Sequence, residues 1–116
     1  MEAKAKFEVI YSEEVLEFLR TLTPKAREKI VLNVSKSRYF QDPKFFKKLS
    51  GTDLWEFRTL YNGIQYRLLA FWDKDGKTYV ITTHGFVKRE QKTPQKEIQR
   101  AQEIRKEYFE NKRKNK

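Results

Sequence analysis

The sequence predicts an α+β fold, in which a small antiparallel sheet of three to five strands is packed on one face by helices. Alternating aromatic and polar residues flank Asn62-Gly63, the dipeptide most typical of a tight β-hairpin. Two helix-start signals precede this hairpin and a third follows it. The predicted order of elements is therefore β-α-α-β-β-β-α.

The N-terminal third is predicted to form one strand and two helices. Residues 4–11 alternate in polarity and predict a short strand at a sheet edge. Ser12 is suited to cap the first helix, since a serine side chain accepts from the free amides of a first turn. Thr23-Pro24 starts the second helix with proline at the first helical position, and that helix is expected to end near Phe40.

The remaining elements are a short segment before the hairpin and a last helix. Residues 45–49 fit either a short strand or an irregular arm. Thr93-Pro94 repeats the threonine-proline start signal, and the helix after it is expected to fray into a basic tail at 111–116. We predict one domain over residues 1–110, because 116 residues leave little room for a second core.

The hairpin turn fixes which side chains lie opposite each other. If Tyr61 faces Ile64 across a two-residue turn, strict alternation places Arg58 directly opposite Arg67. Like charges in such a pair repel, and a guanidinium does not lose its proton to relieve the repulsion. We therefore expect an anion between the two arginines, either a carboxylate of the protein or a phosphate of a ligand.

The turn at residues 73–76 is a loop of either two or four residues. Both alternatives place Thr82, His84 and Phe86 on the face of the arginines, with Thr82 or His84 directly beside Arg67.

The two predicted faces of the sheet differ in character. One is nearly all apolar and aromatic and is expected to form the core: Trp55, Phe57, Tyr61, Ile64, Tyr66, Leu68, Ala70, Trp72, Tyr79 and Ile81. The other carries polar groups in the middle of the sheet, which is typical of a binding surface: Leu54, Glu56, Arg58, Leu60, Gln65, Arg67, Leu69, Thr82, His84 and Phe86.

Composition narrows the classes of partner. Lysine and arginine number 26 against 16 acidic residues, giving a net charge of +10, which attracts nucleic acid, anionic membrane or an acidic protein. Cysteine is absent and the longest apolar run is only Leu68 to Trp72. We therefore expect a cytoplasmic protein without a membrane partner. No motif indicates a cofactor or a metal site.

Several short motifs together resemble the RelE/HigB superfamily of type II toxins, in particular its HigB-like, phage-derived branch. The resemblance rests on segments spread over nearly the whole chain: 48–51 (KLSG), 54–58 (LWEFR), 66–67 (YR), 84–88 (HGFVK) and 91–94 (QKTP). It implies a RelE-like fold and a toxin that cleaves mRNA on the translating ribosome. The implied protein partner is a helix-turn-helix, HigA-like antitoxin.

The resemblance also implies a basic site around the two arginines. Arg58 and Arg67 are expected to stabilise the negative charge that develops on the scissile phosphate. His84, Lys88 and Glu56 complete the candidate catalytic set, and Lys47, Lys48, Phe86 and Lys92 are the candidate RNA-binding residues. No metal is needed, because the 2′-hydroxyl of RNA is itself the nucleophile.

Three of these residues have an ordinary structural alternative. Glu56 is either a catalytic base or a carboxylate that bridges the arginines. His84, the only histidine, is either a base kept neutral by nearby arginines or a hydrogen-bonded strand residue. Phe86 either stacks on an unpaired base or packs beneath the last helix, and the second reading is favoured.

Two other functions remain open from the sequence alone. The same fold serves the ParE branch of the superfamily, whose members inhibit DNA gyrase without cutting RNA. A basic RNA-binding module without activity is the third alternative.

Overall fold

The computed structural model describes residues 4–115, so that residues 1–3 of the predicted domain and residue 116 of the predicted tail lie outside the described residues. It confirms the α+β class. Within the described residues, no helix is both long enough and apolar enough to cross a membrane. The elements are β1 (Glu8–Ile10), α1 (Glu13–Arg20), α2 (Pro24–Ser37), β2 (Phe46–Lys48), β3 (Leu54–Tyr61), β4 (Ile64–Asp73), β5 (Tyr79–Lys88) and α3 (Gln95–Lys114).

One five-stranded sheet runs through the molecule in the order β1-β5-β4-β3-β2. The four strands from β2 to β5 are antiparallel, and β1 pairs in parallel with β5. The prediction of a purely antiparallel sheet is therefore wrong for β1. The two helices that follow β1 carry the chain across the sheet to β2 at the opposite edge, so β1 lies beside a strand distant in sequence.

The first two helices begin where the sequence predicts. The Ser12 side chain accepts from the Val15 amide at 3.1 Å, and that of Thr23 accepts from the Ala26 amide at 3.3 Å. These bonds satisfy amides that the first helical turn leaves without a partner. The second helix ends at Ser37, earlier than expected, and tighter turns continue to Phe40.

Helices cover both faces of the sheet. One layer packs with α1 and α2: Phe7, Val15, Leu19, Ala26, Ile30, Val34, Phe46, Phe57, Tyr66, Leu68, Ala70 and Val80. The opposite layer consists of strand residues packed against Ala101 and its neighbours in α3: Leu54, Leu69, Phe71, Ile81 and Phe86, with Ile98, Tyr108 and Phe109. The expectation that helices pack on one face alone is thus wrong, because the last helix covers part of the predicted binding face.

The last helix is fixed at its C-terminal end instead of fraying at Asn111. It is helical to Lys114. The ammonium of Lys112 lies 2.8 Å from Asp73, and the Tyr108 hydroxyl donates to the same carboxylate at 2.6 Å. These two bonds hold the pKa of Asp73 low even though burial of the carboxyl, the largest single influence, acts in the opposite direction. Most of the predicted tail therefore belongs to α3.

The hairpin has the predicted geometry and register. Asn62 and Gly63 have φ of 52° and 77°, the positive values that a two-residue turn of this type requires. Tyr61 pairs with Ile64, and Arg58 pairs with Arg67. The prediction that the two arginines lie side by side is confirmed.

A five-residue loop and a β-bulge together set the facing of β5. The loop between β4 and β5 spans residues 74–78, longer than either predicted loop. Ala70 pairs with Thr82 and Leu68 pairs with Gly85, which leaves Leu69 opposite both Thr83 and His84. The odd length of the loop reverses the facing of residues 79–82 relative to the prediction, and the extra residue at the bulge restores the predicted facing from Gly85 onward.

The five-residue loop and the bulge together correct three predictions of facing. Thr82 lies on the α1 side, where its hydroxyl donates to the Ile10 carbonyl and accepts from the Ser12 amide, both at 3.0 Å. Tyr79 and Ile81 lie on the α3 side and not in the predicted core face. Arg67 pairs with Phe86, and neither Thr82 nor His84 lies directly beside it.

Gly85 lies where the Phe18 ring of α1 packs against the sheet. A Cβ there would meet the Phe18 ring and would lie 2.8 Å from the Leu68 Cδ2. We predict that Gly85→Ala lowers the free energy of unfolding by about 1–3 kcal/mol, the usual cost of overpacking, in a urea titration. In a Phe18→Leu background the same change should cost less, since part of the obstructing ring is gone. An equal cost in both backgrounds would show that the ring is not responsible.

Candidate functional site

A buried carboxylate lies between the two arginines. Glu56 is 3% exposed, and its Oε1 is 3.2 Å from Nε of Arg67 and 3.5 Å from Nε of Arg58. Neither Nε–H group is aligned well enough for a hydrogen bond, so the contact is mainly Coulombic. Of the two anions that the sequence left open, a carboxylate of the protein is present.

The other oxygen of Glu56 is held from the start of the last helix. The Thr93 hydroxyl donates to Oε2 at 2.5 Å. Thr93 was expected to begin α3 as Thr23 begins α2, but Pro94 occupies the N-cap and no side chain caps the helix. The threonine thus links the segment after β5 to the arginine pair.

The two arginines differ in accessibility. The side chain of Arg67 is 4% exposed and donates to the Tyr66 carbonyl at 3.1 Å and to Oε1 of Gln65 at 2.6 Å. Burial lowers its pKa, and the Glu56 charge partly opposes this. The side chain of Arg58 is 29% exposed and donates to the Pro43 carbonyl at 3.3 Å. Arg58 is therefore the member of the pair that a solute reaches.

Two open grooves meet at Arg58 and Gln65. The first, of about 360 Å³, lies beside α2 and is lined by Lys29, Lys44 and both arginines among others. The second, of about 350 Å³, is lined by Lys88 and Arg89 with one acid, Glu90. Cationic side chains with so few acids favour an anionic ligand.

Lys88 is the titratable group at the open side of this site. It pairs with Gln65 on the neighbouring strand and is partly buried. Burial lowers its pKa, and the charges of Arg67 and Arg58 lower it further while Glu56 acts in the opposite direction. Lys47 pairs with Glu56 on the same face and is exposed.

One predicted lysine lies on the opposite face of the sheet from the arginines, and another lies in the segment just before Thr93. Lys48 pairs with Trp55, which belongs to the opposite face of the sheet, because the direction of side chains alternates along β2. Lys92 is exposed in the segment that leads from β5 to α3. Of the four predicted lysines, the structure thus brings Lys47 and Lys88 to the arginine pair.

His84 belongs to a separate cluster. It is 5% exposed, with Nε2 at 3.4 Å from Oε1 of Glu97 and Nδ1 at 3.1 Å from the Thr83 hydroxyl. Its pKa is lowered as predicted, but the main cause is burial, with a smaller contribution from Arg100 and an opposing one from Glu97. The predicted cause, the neighbouring arginine pair, is wrong.

Phe86 lies between His84 and the arginine pair. Its ring is 9% exposed, is 5.8 Å from the His84 ring, and belongs to the cluster beneath α3. The packing alternative is therefore the one observed, and the ring is not available to stack on a base.

Sequence reasoning missed five residues of the site: Gln65, Thr93, Lys29, Lys44 and Arg89. Gln65 had been placed on the correct face but given no role, although its position two residues before Arg67 puts both side chains on that face. The other four come from segments outside the hairpin. Their places depend on how the helices dock, which no local pattern records.

Comparison with known proteins places the chain in a family. Residues 17–106 match the family described as "Phage derived protein Gp49-like (DUF891)". The chain belongs to the Gp49-like family. No curated protein matches this Gp49-like chain.

One solved structure shares its fold, and a second is similar to it. A mutant of the Escherichia coli toxin RelE in the free state is 23% identical, with a TM-score of 0.54 over 71% of this chain and 82% of that one. The E. coli RelBE toxin–antitoxin complex contains a chain 21% identical, with a TM-score of 0.48 over 74% of this chain and 99% of that one. The family and the first of these folds confirm the resemblance to the RelE/HigB superfamily.

The bond from Thr93 to Glu56 provides a test of the arginine cluster. We predict that Thr93→Val lowers the free energy of unfolding by about 1–3 kcal/mol, since it leaves a buried carboxylate oxygen without its donor. Thr93→Ser keeps the hydroxyl and should recover most of the loss. Urea denaturation of the three proteins measures this. Equal losses for valine and serine would show that the hydroxyl contributes nothing.

Burial of neutral His84 makes stability depend on pH. Its pKa in the folded protein lies below the ordinary 6.5, so the unfolded chain takes up the proton more readily. The contribution is present in full above that pH and is lost as the pH falls through the folded pKa. We expect the free energy of unfolding to decrease between about pH 6.5 and 5, above the range in which carboxylates titrate. The decrease should be smaller in His84→Gln, and an identical slope in both proteins would contradict this.

Proposed function

We propose that this Gp49-like chain is the toxin of a type II toxin–antitoxin system and acts as an endoribonuclease on mRNA at the ribosome. Family membership and the fold shared with the toxin RelE support the proposal. The observation that carries it is the position of Arg58, partly exposed beside buried Arg67 where two basic grooves meet. A strand of RNA laid along these grooves would bring a phosphate to Arg58.

In the proposed reaction the 2′-hydroxyl gives its proton to water and attacks the adjacent phosphorus, which forms a 2′,3′-cyclic phosphate as the 5′-oxygen leaves. Charge builds on the phosphate oxygens, and positioned guanidiniums stabilise it. Arg58 contacts the phosphate. Arg67 is held in place by its bonds to Tyr66 and Gln65 and contributes positive charge from its buried position beside Arg58. The protein supplies positioning and charge, which require no cofactor.

The contacts of Glu56, His84 and Lys88 indicate which of them can act as an acid or base in the cleavage reaction. Both oxygens of Glu56 are already engaged, one with the arginines and one with Thr93, so we assign Glu56 to positioning. His84 is buried against Glu97, away from the grooves. Lys88 lies in the groove with a lowered pKa, so we assign it to donate a proton to the leaving 5′-oxygen.

The proposed protein partner is a helix-turn-helix, HigA-like antitoxin, a proposal that rests on the superfamily resemblance. The net charge of +10 favours an acidic antitoxin surface over the grooves. Covering Arg58 would block the site that RNA needs.

We predict that Arg58→Ala lowers the rate of mRNA cleavage by about two to three orders of magnitude, the usual effect of removing a charge stabiliser of the transition state. Primer extension on mRNA from expressing cells measures the cut ends, and growth arrest should be relieved in parallel. The matched control is Arg20→Ala, an exposed arginine at the end of α1 with the same change in charge.

Two outcomes would contradict the proposal. Cleavage unchanged by Arg58→Ala would remove the arginine pair from the site. Intact message ends in cells arrested by the unmodified protein would exclude a ribonuclease, and loss of DNA supercoiling by gyrase in the same cells would identify the ParE-like alternative.

A further inference from the structure

A third groove lies at the far end of the sheet and shares no lining residue with the two grooves at Arg58. It has a volume of about 380 Å³. Its main lining residues come from three strands or their ends and from α3, and together they define the tryptophan groove: Lys48, Trp55, Trp72, Lys74 and Arg105. Lys48, which the sequence placed with the arginines, is found here.

The walls of the tryptophan groove are aromatic. Trp55 and Trp72 meet edge to face with 5.7 Å between ring centroids, and each is partly exposed although it packs against the core. The ammonium of Lys74 lies 5.2 Å from the centre of the Trp72 ring. An exposed cation over a ring is held more weakly than a stacked base, so a flat ligand displaces such a lysine at little cost.

The charges of this groove favour an anionic ligand. Three lining residues are cationic, and the one acid, Asp53, lies 3.8 Å from Arg105 and offsets a single charge. The ligand that fits is therefore anionic and presents a flat face.

We propose that the tryptophan groove binds an unpaired nucleotide of single-stranded RNA. The base stacks against the tryptophans, and the flanking phosphates contact Lys48, Lys74 and Arg105, the combination by which proteins hold single strands without reading sequence. An acidic peptide matches the charge but brings no ring for the exposed indole surface. The groove binds RNA independently of cleavage at Arg58.

Tryptophan fluorescence tests this directly, because the chain has two tryptophans and both line the groove. Hexa-adenylate RNA titrated into the full chain at low salt should quench the emission saturably. Lys48→Glu and Lys74→Glu, both at exposed positions, should each weaken binding by about tenfold or more. Lys96→Glu, an exposed α3 lysine outside the groove, is the control with the same change in charge and should have a much smaller effect.

Two further measurements separate this groove from the cleavage site and from a protein ligand. Arg58→Ala should leave the quenching in place, whatever it does to cleavage. Hexaglutamate should quench little at the same concentration. The proposal is overturned if RNA does not quench, if Lys96→Glu weakens binding as much as Lys48→Glu, if Arg58→Ala abolishes the effect, or if hexaglutamate quenches as strongly as RNA.

Discussion

Glu56 lies between two guanidiniums that the hairpin forces together, and the rest of the site depends on this contact. The register places Arg58 directly opposite Arg67, where neither can lose its charge. A buried carboxylate within 3.5 Å of both relieves the repulsion. Removing one partner from such a buried cluster commonly costs about 3–5 kcal/mol, because the remaining charge is left uncompensated. The pair therefore exists at a fixed position and with one member, Arg58, open to solvent.

The last helix and the segment before it hold the sheet around this site. It is tied to the sheet by Thr93 on Glu56 near its start, by Glu97 on His84 within its first turn, and by Lys112 with Tyr108 on Asp73 near its end. Because α3 packs over Phe86 and His84, these two side chains are buried, while Arg58 at the other end of this face stays open to solvent. The same docking forms the tryptophan groove, since Arg105 comes from α3. The docking of α3 therefore shapes both the arginine site and the tryptophan groove, the two surfaces proposed to contact RNA.

Local sequence determined the parts of the fold that depend on local chemistry. The positive φ required at Asn62-Gly63 sets the hairpin register, and both early helices begin at their capping residues. The facing of β5 could not be read, because the loop before it has five residues where two or four were expected, and the bulge at Thr83 and His84 then reverses the facing again. The burial of Phe86 could not be read either, since it depends on the docking of α3. The separation of Lys48 from the arginines depends on how β2 pairs with β3. The sequence left two candidates for the anion between the arginines, a carboxylate of the protein or a phosphate of a ligand. Only the three-dimensional structure shows that Glu56 occupies this position.

A double-mutant cycle on Glu56 and Arg67 tests the central contact most directly. The free energies of unfolding of Glu56→Gln, Arg67→Gln and the double variant would be measured by urea denaturation. If the carboxylate holds the arginine in place, the double variant should lose at least about 1 kcal/mol less than the sum of the single losses. Losses that add within about 0.5 kcal/mol would show that the two side chains do not depend on each other and would contradict the account.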